Sequence, residues 1–180
     1  MEDLSLHILD IAENSIAAGA RTITISIVED ATNDVLSLEI ADDGRGMNAE
    51  TARKASDPFY TTRKTRKIGM GLSLLHDAAR AANGRMSIHS KPGSGTTIRA
   101  SFQLSHIDRQ PLGNMTETIM TLIANAADVD VHYAHSRNGK SVVFDSREAR
   151  KQAGEIPLNS LEALRLIREY IDQEEHSLAQ

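Results

Sequence analysis

The chain has 180 residues, about one domain's worth, with 20 basic and 25 acidic side chains and a formal net charge of −5. A domain of that size buries roughly 70% of the surface its unfolded chain exposes. The absence of cysteine excludes disulfides, thiolate metal sites and cysteine nucleophiles, which fits a reducing compartment and makes a cytoplasmic location the expectation.

The net charge is −1 up to Ser105 and −4 from His106 onward, so neither part has the clustered basic charge of general nucleic-acid binding. Met1 to Ala20 lacks the basic start and unbroken apolar run of a signal peptide. No window approaches the roughly 18 apolar residues of a membrane span. With only three Phe, three Tyr and no Trp, the core must be aliphatic.

In chain order, Leu4, Ile8, Ile11, Ala12 and Ile16 recur at helical spacing up to Gly19. Thr22 to Val28 and Leu36 to Ile40 alternate as strands around an Asn33-Asp34 turn. A short helix is predicted at Thr51 to Ala55 and a long one at Gly71 to Ala82, with a polar, basic stretch from Ser56 to Ile68 between them. Met86 to His89 and Thr96 to Leu104 read as a second hairpin. This order of helix, hairpin, helix, hairpin predicts an α/β sandwich of two layers, a mixed or antiparallel sheet with helices on one face.

Beyond residue 105, residues 106–180 read as a small α/β extension of the 1–105 unit, either an interaction module or an enlargement of its core. Asn114 and Glu117 form a capping box ahead of Ile119 to Ile123. Val129, Val131 and Tyr133 alternate, and Asn138-Gly139 turns the chain back through Ser141 to Phe144. A last helix starts near Ser160 with Leu161, Leu164, Ile167 and Ile171 on one face. His132 and His135 are predicted at the surface.

Four segments carry chemistry. Asp10 and Asn14, four apart, share a helix face where a carboxylate and an amide oxygen can approach one ligand. Asn14 can hold Mg²⁺ there and Asp10 can orient a nucleophile. Asp42-Asp43-Gly44-Arg45-Gly46 follows a strand, so a carboxylate can accept from an adenine amino group while glycines let the backbone pass close to the base. Gly69-Met70-Gly71-Leu72 opens a helix whose free N–H groups suit a phosphate. Gly93-Ser94-Gly95-Thr96 brings a hydroxyl near Asp42. Taken alone, the first segment reads more readily as a solvated helix face and the second as an acidic turn, and the third and fourth are compatible with a flexible helix start and a hairpin loop.

Together and in this order they resemble the N box and the three glycine boxes of the superfamily of gyrases, Hsp90-type chaperones, histidine kinases and MutL. Asp57-Pro58-Phe59-Tyr60-Thr61-Thr62 resembles the F box of histidine kinases, while Glu13-Asn14-Ser15 with Ala18-Gly19-Ala20 is more similar to MutL. The resemblance covers about Leu4 to Leu104.

It implies a Bergerat-type fold binding ATP and Mg²⁺, with Asn14 on the metal, Asp42 on adenine, and Gly44, Gly46 and Met47 along the base. Phe59, Thr61 and Thr62, with Lys64 in a lid from Thr61 to Ile68, would contact the nucleotide, as would Gly69, Met70, Gly71, Leu72 and Thr96. Where MutL and gyrase carry Glu, this chain has Asp10, one methylene shorter, which puts the reach of a general base in question.

Ser105 to Leu112 resembles in part the phosphoacceptor box of histidine kinases, but it follows the ATPase region and Pro111 disfavours helix at Gln110, so a linker is expected. The implied function is a regulatory kinase or ATPase acting on a separate protein. The alternative is an ATP-gated interaction module with little turnover, and a homodimer is left open.

Overall fold

The computed structural model describes residues 3–55 and 70–179. Phe59, Thr61, Thr62, Lys64 and Gly69, with the rest of the expected F box and lid, lie outside the described residues. Helix α1 (Leu4–Ala17) starts on Asp3, whose carboxylate accepts from the Leu6 N–H, and stops where Gly19 takes φ of 80°. Strands β1 (Thr22–Asp30) and β2 (Val35–Asp42) form the first hairpin, followed by α2 (Ala49–Ala55), α3 (Met70–Ala81), β3 (Arg85–Ser90) and β4 (Thr96–Gln103). Then come α4 (Met115–Asn125), β5 (Asp130–Arg137), β6 (Lys140–Asp145), α5 (Ser146–Ala153) and α6 (Leu161–Ala179).

All six strands form one mixed sheet in the order β3-β4-β2-β1-β5-β6, antiparallel except where β5 runs parallel to β1. The fold is therefore a two-layer α/β sandwich. The sheet does not stop at residue 105, because Ile23, Ile25 and Ile27 of β1 lie level with Val131, Tyr133 and His135 of β5. Every second residue of β1 is buried: Ile23, Ile25 and Ile27 belong to one continuous aliphatic core with Leu4 and Ile8 of α1, Ile119 of α4, Leu75 of α3 and Ile171 of α6. The opposite face is polar, and Glu39 pairs with Arg99 across it.

The structure departs from the sequence reading at several points. Helix α5 escapes the periodicity because only Ser146 within it is buried. Leu161 is 87% exposed rather than on the buried face of α6, which is set by Ala163, Ile167 and Ile171. Only half of the capping box forms: Asn114 accepts from the Glu117 N–H at 3.1 Å, but the Glu117 carboxylate turns to the Arg168 guanidinium.

His135 is not at the surface. It is 3% exposed, with Nδ1 at 3.0 Å from Glu175 and Nε2 at 3.0 Å from Glu29. The tail helix brings Glu175 in from far along the chain, which no local pattern announces. His132 is half-buried, with Nδ1 at 3.4 Å from Asp145. Among the described residues no helix is long and apolar enough to cross a membrane.

Candidate nucleotide site

Three pieces of chain converge at one end of the sandwich: the middle of α1, the end of β2 and the start of α3. Asp42 ends β2 with its carboxylate shared between the Ser15 hydroxyl, which donates to Oδ2 at 2.7 Å, and the Gly44 N–H, which donates to Oδ1 at 2.8 Å. Each carboxylate oxygen has a second lone pair, so a further donor can be accepted. Ser15 is one residue beyond Asn14 on α1 and ties the helix to the strand end. Its hydroxyl also reaches the Ile11 carbonyl.

Thr96 lies level with Asp42 on the neighbouring strand β4. Ser90 is central to this corner, since its hydroxyl accepts from the Met47 N–H at 2.8 Å and donates to the Gly95 carbonyl at 3.0 Å. Ser90 then takes the hydrogen bond of Thr96, 2.8 Å away. Gly46 and Gly95, both at positive φ, are required by close approach: a Cβ would stand 2.0 Å from the Lys91 carbonyl at Gly46 and 1.9 Å from the Asp42 carbonyl at Gly95. Asp43 closes the base of the loop by accepting from the N–H groups of Arg21 and Thr22. A cleft of about 600 Å³ opens beside this corner, bordered by Ala52, Arg53, Ile88, Ser90, Lys91 and Thr96.

Asp10 and Asn14 do share a face of α1. The Asn14 amide nitrogen points to Asp10 Oδ2 at 3.4 Å, which leaves the amide oxygen turned away from the carboxylate. The first turn of α3 packs directly onto Asp10. A Cβ at Gly71 would stand 1.8 Å from Asp10 Oδ2, so only glycine fits against this carboxylate. Burial pushes the Asp10 carboxyl above its ordinary value, opposed by the charge of His7 and the Asn14 hydrogen bond. His7, one turn earlier, is buried, and its Nε2 lies 2.9 Å from Gln110 Oε1. Burial holds its pKa below the usual histidine value.

The structure therefore brings Asp10, Asn14, Gly71 and Leu72 together on one side, and Asp42, Gly44, Gly46, Met47 and Thr96 together on the other, with α1 spanning both groups through Ser15. Met70 opens α3 beside Gly71. Sequence reasoning assigned nothing to Ser15, Ser90 or Asp43. Ser15 stood inside the Asp10 motif, and a hydroxyl one residue past a candidate ligand was the available signal; Ser90 carried none.

A helix-covered mixed sheet with a carboxylate, an amide and glycine turns gathered at one end defines a two-layer α/β class. Residues 2–106 match the family of histidine kinase-, DNA gyrase B- and HSP90-like ATPases, more than half of the chain, and the protein belongs to that family.

Relatives include the sensor protein kinase FleS of Pseudomonas aeruginosa, 34% identical over 61% of this chain and 27% of its own length. The sensor histidine kinase TmoS of Ectopseudomonas mendocina is 30% identical over 54% of this chain and 11% of its own length. The chain thus spans about a quarter or less of these curated relatives. The fold is similar to the crystal structure of the N-terminal domain of a DNA repair protein, with a TM-score of 0.56 at 17% identity, covering 95% of this chain and 57% of that one.

Proposed function

We propose that this chain binds Mg-ATP between α1, the end of β2 and the start of α3, and serves as a regulatory kinase or ATPase acting on a separate protein. The observation that carries this reading is the closure of Asp10 onto Gly71, which puts a carboxylate, an amide and the first turn of α3 around one spot.

Asp42 accepts the adenine amino group with the lone pairs that Ser15 and Gly44 leave open, and Thr96 stands beside it. Gly46 and Met47 line the base. The phosphates meet the N–H groups of Gly71 and Leu72, where the dipole of α3, roughly half a positive charge, favours anions.

Asn14 fits Mg²⁺, a hard cation that takes oxygen ligands: its nitrogen faces Asp10, so its oxygen is free to ligate, with phosphate and water oxygens filling the remaining positions. When bound, the cation neutralises phosphate charge. Asp10 is placed as the general base or the group that orients the nucleophile, and its raised pKa makes it a better proton acceptor than an ordinary aspartate.

Incubating the chain with γ-labelled ATP, alone and with candidate partner proteins, tests the reading. Label on a partner supports the kinase, free phosphate supports the ATPase, and binding with neither leaves the gated module.

A further inference from the structure

Five of the nine exposed large hydrophobic residues among the described residues lie in the last third of the chain: Val143, Ile156, Leu161, Leu166 and Tyr170. Scattered apolar side chains need no explanation, but a contiguous apolar groove does. Val143, Leu166 and Tyr170 line one groove of about 630 Å³ between edge strand β6, α5 and α6, floored by Phe144, Leu158 and Ile167.

The charged side chains in its lining are Asp145 and Glu148, with no Lys or Arg among them. The surrounding charge has the same sign. Asp145 to Gln180 holds five basic and eight acidic residues. All five bases are already paired: Arg147 with Asp145, Arg150 with Asp130, Lys151 with Glu148, Arg165 with Glu169, and Arg168 with Glu117. Glu155 and Glu162, exposed at the α5–α6 corner, have no ion pair among the described residues. Asp145 and Glu148 themselves are paired, but the segment around the trough keeps an excess of acids over bases, Glu155 and Glu162 among them, and an apolar trough in net-acidic surroundings is complementary to an apolar ridge flanked by cations.

The occupant is a helix rather than an added strand. Strand addition needs the open backbone of β6, and there the Tyr170 hydroxyl donates to the Val143 carbonyl at 3.0 Å. A helix needs no backbone partner and supplies apolar anchors at i, i+3, i+4 and i+7. We infer that this groove receives an amphipathic helix of a partner protein with Lys or Arg along both flanks. This goes beyond the nucleotide reading and does not depend on it.

The probe is a labelled Leu/Lys amphipathic peptide of about five helical turns, compared by fluorescence anisotropy, without nucleotide, with a Leu/Glu counterpart and a Leu/Lys scramble that has no apolar face. Saturable binding of the first to the full chain is expected, with the other two about tenfold weaker or worse. Leu166→Ser, at an exposed position, should weaken it about tenfold at unchanged melting temperature. Glu148→Lys with Glu162→Lys should do likewise, the effect shrinking in high salt.

Equal affinity for the scramble, or variants that bind as wild type does, overturns the inference. So does sedimentation showing that the wild-type chain self-associates and Leu166→Ser is monomeric, since the occupant would then be a second copy.

Discussion

Raising the pH from 6.5 to 9 should weaken the fold through one residue. His135 sits between Glu29 and Glu175, and Tyr133 donates to Glu175 at 2.6 Å beside it. Burial alone would lower the imidazole pKa, but the hydrogen bonds and charges of Glu175 and Glu29 outweigh it and raise the value from 6.5 to about 9.

A group whose folded pKa is raised stabilises fully below its unfolded pKa and loses that contribution as pH climbs through the folded one. Between 6.5 and 9 the folded chain keeps a proton the unfolded chain has shed, so stability falls by about 1.4 kcal/mol per pH unit, roughly 3 kcal/mol in all. Tyr133 does not interfere, because burial and Glu175 push its hydroxyl well above the usual tyrosine range. Glu29, held low chiefly by its hydrogen bond to His135, stays ionised throughout the window.

Urea unfolding of wild type and His135→Gln at half-unit pH steps is the assay. Wild type should slope downward and the variant should be nearly flat. Parallel slopes would mean that folded His135 is neutral, and the clamp between α6 and the sheet would not be ionic.

Gly71→Ala should force α3 and Asp10 apart, costing about 1–3 kcal/mol of stability in urea unfolding and a larger share of ATP affinity. Asp10→Asn should slow phosphate release about 10²- to 10⁴-fold, measured per folded molecule, with nucleotide affinity nearly intact. Equal losses of binding and rate would make Asp10 a ligand rather than a base. Asn14→Ala should remove the Mg²⁺ dependence of ATP affinity in calorimetry, since it deletes the amide oxygen proposed to ligate the cation.

How much was legible in the sequence differs between the two sides of the molecule. The Ile23-Ile25-Ile27 and Leu36-Leu38-Ile40 alternations gave strands because their other faces meet solvent, so polarity switches at every residue. Helix α5 buries almost nothing and leaves no periodic signal. Leu161 falls in helical register with Leu164, Ile167 and Ile171, yet it stands 87% exposed at the first residue of α6.

At the candidate site, order along the chain marked Asp10, Asn14, Asp42 and the glycines. Pairings that depend on tertiary closure were invisible: Ser15 on Asp42 spans 27 residues, and Asp10 against Gly71 spans about sixty. His135 shows the same limit, since its partners Glu29 and Glu175 lie 106 and 40 residues away.

The central claim is that Asp42 reads adenine within a Mg-ATP site, and calorimetry with ATP and GTP on wild type and Asp42→Asn addresses it most directly. Both carboxylate oxygens of Asp42 already accept a hydrogen bond, so an amide there sets its own N–H₂ against the Ser15 hydroxyl, the Gly44 N–H or the adenine amino group. Wild type should prefer ATP strongly over GTP, and Asp42→Asn should lose roughly 1–3 kcal/mol of ATP affinity, measured per folded molecule. Equal affinity for the two nucleotides, or ATP binding untouched by the substitution, would contradict that claim.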